Sequence, residues 1–158
     1  MAEQEQPVFA AQRMYLKDSS YEAPNAPQIF LEEWEPEVNV QMDNSVNVID
    51  ENGVYDVQLK VTVTAKSANK TAYIAEVVQG GIFMIVGFEE KDRQRLTGSV
   101  CPDMLYPYAR EALANFITKG SFPAFLLSPV NFEYIYQKRL KEQQQAEAGD
   151  SEPQTATE

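Results

Sequence analysis

Acidic side chains are the groups in this sequence that could carry chemistry. The 158 residues include no histidine and one cysteine, so the chain cannot form a Ser-His-Asp or Cys-His nucleophile, or a Cys/His zinc site, by itself. Asp18, Glu22 and Glu76 would share a face if the first and fourth predicted strands are close. Carboxylates on a sheet are commonly solvated surface, and no metal-ligand set is evident around these three. A charged patch can steer an oppositely charged partner, so an acidic docking patch is favoured over catalysis.

The lone thiol and the glycines offer little further chemistry. Cys101 has no histidine to lower its pKa, which favours a small structural residue near a helix start over a nucleophile. One cysteine cannot form an intramolecular disulfide, and this is typical of a cytoplasmic protein. The sequence has neither the phosphate-binding nor the dinucleotide-binding glycine motif. No cofactor is therefore expected.

Charge is distributed unevenly along the chain. The formal net charge is -11, from 13 Lys and Arg against 24 Asp and Glu. Residues 1–56 hold twelve acids and only two bases, whereas residues 57–141 hold eleven bases and seven acids. Such an acidic chain repels nucleic acids and anionic membrane surfaces. The longest apolar run, 80–88, has nine residues, about half of the ~20 that a membrane-spanning helix needs, so no direct membrane insertion is expected.

Large aromatic side chains are concentrated in or beside proline-bearing loops and in the last predicted helix. Burial in the core is the ordinary role of aromatic residues in a small domain. Two proline loops that both carry large apolar groups could equally line a groove for a ligand. The candidates for such a groove are Phe30, Trp34, Phe122, Phe125, Phe132, Tyr134 and Tyr136.

Period-2 alternation of apolar residues predicts four strands, at about 8–21, 38–48, 54–65 and 71–83. The Asn52-Gly53 pair predicts a turn that joins the second and third strands in an antiparallel hairpin. The fourth strand is apolar on both faces, which favours burial on both sides or a subunit interface, and Gly80-Gly81 predicts a bulge or bend.

Helical periodicity appears only after residue 100. A first helix is predicted around 105–119, ended by Gly120 as a C′ glycine, and a second from an N-cap at Ser128 to about Gln145. Strands followed by helices predict an α+β domain with an antiparallel sheet covered on one face. We expect a flexible arm at residues 1–7, one domain at 8–145 and a disordered acidic tail at 146–158.

Five blocks of sequence, in order, resemble the SecB family of bacterial protein-export chaperones. Lys17 to Pro27 is similar to the family's K-D-x-S-[FY]-E-x-P-N-x-P, and Trp34-Glu35-Pro36 to W-x-P. The third block is EVVQGGIF at 76–83, and the fourth is CPDMLYPYARE at 101–111. The fifth has two parts, GSFP at 120–123 and SPVNF at 128–132. The match covers about residues 8–145.

The resemblance implies a four-stranded antiparallel sheet with two main helices on one face, assembled as a homotetramer that is a dimer of dimers. It implies an ATP-independent holdase that binds unfolded secretory precursors in the cytoplasm and passes them to the motor SecA. It places SecA docking at Asp18, Glu22, Ile74 and Glu76, and oligomer contacts at Ala75, Val77 and Gln79. Along a strand, 74 and 76 must point opposite to 75, 77 and 79.

Two readings from other classes stay open from the residues alone. One is a metal-dependent enzyme that uses acidic residues, and the other is a binder of a small ligand. A molecular mass near four times 17.8 kDa would favour the chaperone.

Overall fold

The computed structural model describes residues 6–150 and contains a four-stranded antiparallel sheet. The sheet order is β1-β4-β3-β2. The strands are β1 (Val8–Glu22), β2 (Pro36–Asp50), β3 (Val54–Ser67) and β4 (Lys70–Val86). The predicted β2–β3 hairpin is confirmed, and Gly53 at its turn has a φ of 96°, a conformation that glycine adopts readily.

The two central strands separate the molecule into a covered and an open face. On β3, the residues 57, 59, 61, 63 and 65 are at most 1% exposed, as the alternation predicts. They lie opposite residues 81 to 73 of β4, which therefore share the covered face. On the open face β4 presents Ile74, Glu76 and Val78, which are only partly buried. Within one protomer β4 is thus fully buried on one side only, and burial of its other side at a subunit interface stays a prediction.

The bulge predicted at Gly80-Gly81 is wrong. β4 pairs with β3 without interruption through both glycines, and the two register shifts lie in β1, next to Gln12 and Lys17. Position 80 requires glycine because a neighbouring side chain occupies the space of its Cβ. A Cβ on Gly80 would overlap the ring of Tyr15, which crosses over it from β1.

The helices follow the sheet in sequence. A 3-10 helix (Gln28–Leu31) interrupts the β1–β2 connection, and a short helix α1 (Glu90–Arg95) continues through a π-helical turn (Leu96–Val100) into α2 (Cys101–Lys119). The last helix is α3 (Phe132–Asp150). Neither α1 nor the π-helical turn was expected, because six residues are too few to show a helical period.

The structure corrects three predicted helix ends. Asn131, not Ser128, caps α3, since its side-chain oxygen accepts a hydrogen bond from the Tyr134 amide at 3.0 Å. Gly120 has a φ of -75°, and Ser121 adopts the left-handed conformation instead. Residues 146–150, predicted as the start of a disordered tail, instead continue α3 five residues beyond the predicted end at Gln145, because the alanines at 146 and 148 favour helix strongly.

Both main helices lie on the same face of the sheet. Helix α2 packs on β3 and β4, the start of α3 packs on the π-helical turn, and residues of α3 line one pocket together with Met42 and Leu59 of the covered face. The four-stranded α+β fold is thus confirmed. None of the helices in the described part of the chain has the length and apolarity that crossing a membrane requires. Residues 1–5 of the predicted arm and 151–158 of the predicted tail lie outside the described residues.

Candidate functional site

The structure brings the four residues of the predicted docking patch together on the open face of the sheet. Asp18 and Glu22 of β1 lie opposite Val78 and Ile74 of β4, and Glu76 lies between those two positions. Directly opposite residues point to the same face. We call Asp18, Glu22, Ile74 and Glu76 the acidic face.

Two side chains of β3 interact with Glu76. The Thr62 hydroxyl donates a hydrogen bond to one carboxylate oxygen at 2.8 Å, and the Lys60 ammonium lies 3.7 Å from the other oxygen. Sequence reasoning missed both residues. The β3 alternation alone could have found them, since it places Lys60 and Thr62 on the open face.

A second polar network lies farther along the open face. The Tyr15 hydroxyl donates to Asp56 at 2.5 Å, and Gln58 donates to the other oxygen of Asp56 at 2.6 Å. Burial, together with the Asp56 carboxylate, raises the pKa of Tyr15. The network links β1 to β3 across Gly80, so it fixes the edge strand that carries Asp18 and Glu22.

The three predicted oligomer-contact residues lie inside the protomer. Ala75 and Val77 have no exposed surface and Gln79 is 4% exposed, because their side chains point to the helix-covered face. They form no surface that a second chain could touch in this protomer. The predicted alternation between 74 and 76 on one side and 75, 77 and 79 on the other is present.

Three of the predicted groove residues form one aromatic cluster. The Phe122 ring centre lies 5.1 Å from Phe30 and 5.4 Å from Trp34. Two tyrosines extend the cluster toward the sheet: Tyr73 lies 5.0 Å from Phe122, and Tyr21 stacks on Tyr73 at 6.4 Å. We call these five residues the aromatic cluster.

The aromatic cluster has a buried and an exposed side. Tyr73 is 1% and Phe122 6% exposed, whereas Phe30 is 46% and its neighbour Leu31 89% exposed. Burial raises the pKa of both Tyr73 and Tyr21. The Tyr21 hydroxyl is buried without a hydrogen-bond partner in residues 6–150. Sequence reasoning missed Tyr21 and Tyr73 because it considered only the aromatic residues in or beside the proline loops and in the last helix.

The other predicted groove residues lie elsewhere. Phe132 is buried against Tyr106, with ring centres 5.6 Å apart, at the start of α3. Phe125 packs partly buried against the core, and Tyr134 is 65% exposed on α3. Tyr136 packs over Gly98 of the π-helical turn. The contacts of Phe132 and Tyr136 therefore anchor α3, and none of these four residues extends the aromatic cluster.

A separate groove runs between α2 and the extended segment 121–131. Its volume is about 830 Å³, and it is lined by Tyr106, Pro107, Arg110, Glu111, Ala114, Asn115, Thr118, Ala124, Leu126 and Pro129. The Arg110 guanidinium donates to the Leu127 carbonyl at 2.9 Å, and the Tyr106 hydroxyl donates to the Ser128 carbonyl. These two bonds hold the extended segment along α2. No motif in the sequence indicates this groove.

Cys101 is fully buried, and burial raises its pKa to about 12. A thiol in that environment is a structural residue, as the sequence indicates. Within the described residues, no three acidic or cysteine side chains are grouped in a way that could hold a metal ion.

The sequence matches known proteins over nearly its full length. The family model described as SecB, preprotein translocase subunit, matches residues 2–143. A protein-export protein SecB of Marinobacter nauticus is 50% identical over 148 residues, 94% of this chain and 89% of that one. The protein of the same name from Alcanivorax borkumensis is 47% identical over 146 residues, covering 91% and 93%.

A solved structure shares the fold. A SecB-like chaperone of Mycobacterium tuberculosis, in complex with a peptide from an antitoxin, superposes with a TM-score of 0.65 at 14% identity. The superposition covers 77% of this chain and 90% of that one.

Proposed function

This chain belongs to the SecB family, and on that premise we propose an ATP-independent holdase that binds unfolded precursor proteins, keeps them translocation-competent and delivers them to SecA. It is a protein-export chaperone and not an enzyme. The family relationship, not the shape of any pocket, decides against the metal-dependent enzyme and the small-ligand binder. We further propose that it works in the cytoplasm, where a single buried thiol stays reduced.

The exposed side of the aromatic cluster is the observation that supports a client-binding site. Phe30 and Leu31 present apolar surface to solvent while Phe122 and Tyr73 support them from below. Covering one such side chain contributes roughly 1.5–3 kcal/mol. Ordering a flexible client consumes much of that gain. One cluster is therefore expected to bind any apolar segment weakly and without sequence specificity, as a holdase must.

A homotetramer would turn several weak sites into effective retention. Four aromatic clusters acting on one long client raise the effective concentration of each later contact, which can strengthen binding ~10²-fold to 10⁴-fold. We propose that the chain assembles as a dimer of dimers. Because Ala75, Val77 and Gln79 are buried in the protomer core, we propose that they influence assembly through core packing.

Docking of SecA is proposed for the acidic face. Asp18 and Glu22 are exposed, and Ile74 and Glu76 are partly exposed beside them. Such a surface suits a basic partner, whose approach it would steer. The aromatic cluster lies on the covered side of the same sheet, so a client and SecA can be held together without competing for residues.

The direct test is whether the protein delays the folding of a precursor. We expect a purified, chemically unfolded precursor to refold more slowly when the chaperone is added at a stoichiometric amount, with no ATP present. The control is the same precursor added after it has folded, which should not bind. Unchanged refolding at stoichiometric or higher amounts would contradict the holdase function.

The same mixture tests the location of the client site. Trp34 is the only tryptophan in the chain and lies 5.4 Å from Phe122. We expect its fluorescence to shift when an unfolded client without tryptophan is added. A client that binds and leaves the spectrum unchanged would place its site outside the aromatic cluster.

A further inference from the structure

We propose that Lys60 is an internal competitor for the docking partner: it pairs with Glu76 in the free protein and is displaced when a cationic group of the partner arrives. Thr62, in contrast, is the residue that positions Glu76 for that partner. This inference rests on the proposed docking function of the acidic face and adds the two residues that set its affinity.

The geometry gives the two β3 residues different roles. Thr62 lies directly opposite Glu76 in the β3–β4 pairing, and its hydroxyl donates to the carboxylate at 2.8 Å. Threonine is β-branched and stiff at χ1, so this bond restrains the orientation of the carboxylate. Lys60 lies opposite Val78, and its ammonium is 3.7 Å from the other carboxylate oxygen. That distance is too long for a hydrogen bond.

Exposure also separates the two roles. The Lys60 side chain is 48% exposed and that of Glu76 is 31% exposed. An ion pair this open to water changes an equilibrium by up to about fivefold. A long lysine side chain can also leave the pair and keep its charge in water. Lys60 is therefore a removable counter-ion and not a structural one.

Glu76 is the acid of this face that carries an internal cation. Within residues 6–150 neither Asp18 nor Glu22 forms an ion pair. Asp18 accepts a hydrogen bond from the Ser19 backbone amide at 2.9 Å, which leaves its charge in place. A cationic partner thus meets two uncompensated carboxylates and one that Lys60 partly neutralises. Exchange of Lys60 for a cation of the partner completes the site.

The two variants have opposite expected signs. Lys60→Met keeps the apolar length of the side chain and removes its charge, so we expect SecA to bind two- to fivefold more tightly. Thr62→Val is nearly isosteric and removes the hydrogen bond, so we expect binding to weaken by a similar factor. A purely structural role for both residues would weaken binding in both variants.

The matched control is Lys91→Met. Lys91 is exposed in α1, which follows the end of β4 at Val86, and that end lies ten residues, about 30 Å along the strand, from Glu76. That separation exceeds the Debye length of about 8 Å at physiological ionic strength, so removal of this charge should leave SecA affinity unchanged.

The experiment measures the affinity of purified SecA for each full-length variant at low and at physiological ionic strength. We expect the gain from Lys60→Met to shrink as salt is added and to disappear when Glu76→Gln is also present. Circular dichroism and elution volume confirm that each variant is folded and assembled, and Lys60→Gln serves as a second charge-removing variant.

Three outcomes would overturn parts of the proposal. In the first outcome, Glu76→Gln weakens binding, but neither Lys60→Met nor Lys60→Gln strengthens it. This overturns the competitor role of Lys60 and leaves the docking site in place. A gain that persists beside Glu76→Gln assigns the effect to general charge and also overturns that role. Wild-type affinity in Glu76→Gln itself overturns docking at the acidic face, and the role of Lys60 with it.

Discussion

Single side chains on the open face are expected to decide partner binding without affecting client binding. Glu76→Lys reverses the charge that Thr62 orients and that Lys60 pairs with, and it puts two cations side by side on neighbouring strands. We expect SecA affinity to fall by about tenfold or more, because like charges across an interface disfavour docking. Binding of an unfolded precursor, measured by its delayed refolding, should remain. Equal loss of both activities would contradict the separation of the two sites.

A second residue-scale prediction concerns the packing of Gly120 against Tyr21. A Cβ on Gly120 would overlap the Tyr21 hydroxyl, and this ring cannot move freely because it stacks on Tyr73. The backbone of Gly120 has a φ of -75°, which alanine adopts without strain. Gly120→Ala therefore tests the contact alone, and we expect a loss of about 1–3 kcal/mol in the free energy of unfolding.

The control for this substitution is Gly149→Ala in α3. A Cβ at Gly149 meets nothing within 4 Å, and alanine is the better helix former by up to ~1 kcal/mol. We expect urea unfolding to show equal or slightly higher stability for Gly149→Ala. Wild-type stability of Gly120→Ala would show that Tyr21 can move without cost.

At the scale of elements, α3 is held to the body by its first turn. Glu133 accepts hydrogen bonds from Ser99 at 2.6 Å and Arg95 at 2.9 Å, and from Gln137 of its own helix at 3.2 Å. These bonds, led by that of Ser99, lower the pKa of Glu133 to about 2. The anchoring carboxylate thus stays ionised far below its usual range.

The anchor predicts how α3 responds to pH. A carboxylate whose pKa is lowered in the folded protein contributes stability that is complete above its ordinary value of 4.5 and is lost as pH falls through about 2. We expect the α3 amides to remain protected from hydrogen exchange at pH 4 and to lose protection toward pH 2. Glu133→Gln should expose them already at pH 7.

Glu142→Gln provides the control for the anchor, because Glu142 is an exposed residue on the distal part of the same helix. In the Glu142→Gln variant, protection of the α3 amides should match that of the wild type at each pH. If Glu133→Gln exchanges no faster than Glu142→Gln, the aromatic contact of Phe132 with Tyr106 must hold α3 without the carboxylate.

The elements also show how far sequence patterns determine this fold. The alternation on β3 predicts its buried residues correctly, because a strand with one covered face follows a period of two. The bulge predicted from the Gly80-Gly81 pair is absent, because a ring from β1 fills the space of a side chain at Gly80. The N-cap predicted for α3 is also wrong, because Asn131 and Ser128 are both acceptable caps by residue type. Contacts between distant residues decide such cases, and no local pattern contains them.

The candidate sites were predictable to different degrees. The resemblance to the SecB family predicts the acidic face residue by residue, and the β1–β4 register brings its members to one surface, while their docking role stays a prediction. The aromatic cluster was only half predicted: Phe30, Trp34 and Phe122 come from loops, but Tyr21 and Tyr73 join them from two strands. Lys60 and Thr62 carry no motif, so they become visible only when the register of β3 and β4 is known.

At the scale of the whole molecule, the assembly is the central prediction. We expect the purified protein to elute at four times the 17.8 kDa of the chain. Dilution should reveal a dimer before a monomer, if the tetramer is a dimer of dimers. Light scattering on the eluted peak measures the mass independently of shape, and a monomer at all concentrations would contradict the tetramer and the retention by several sites.

The alternation on β4 has a consequence for how this protein can vary. Tyr73 and Ala75 point to the covered face, where Tyr73 belongs to the aromatic cluster. Ile74 and Glu76 point to the open face and belong to the acidic face. A shift of one residue would exchange the two sets completely. Insertion or deletion of an odd number of residues within this strand should therefore abolish both sites at once. Substitutions, in contrast, can change either surface independently of the other.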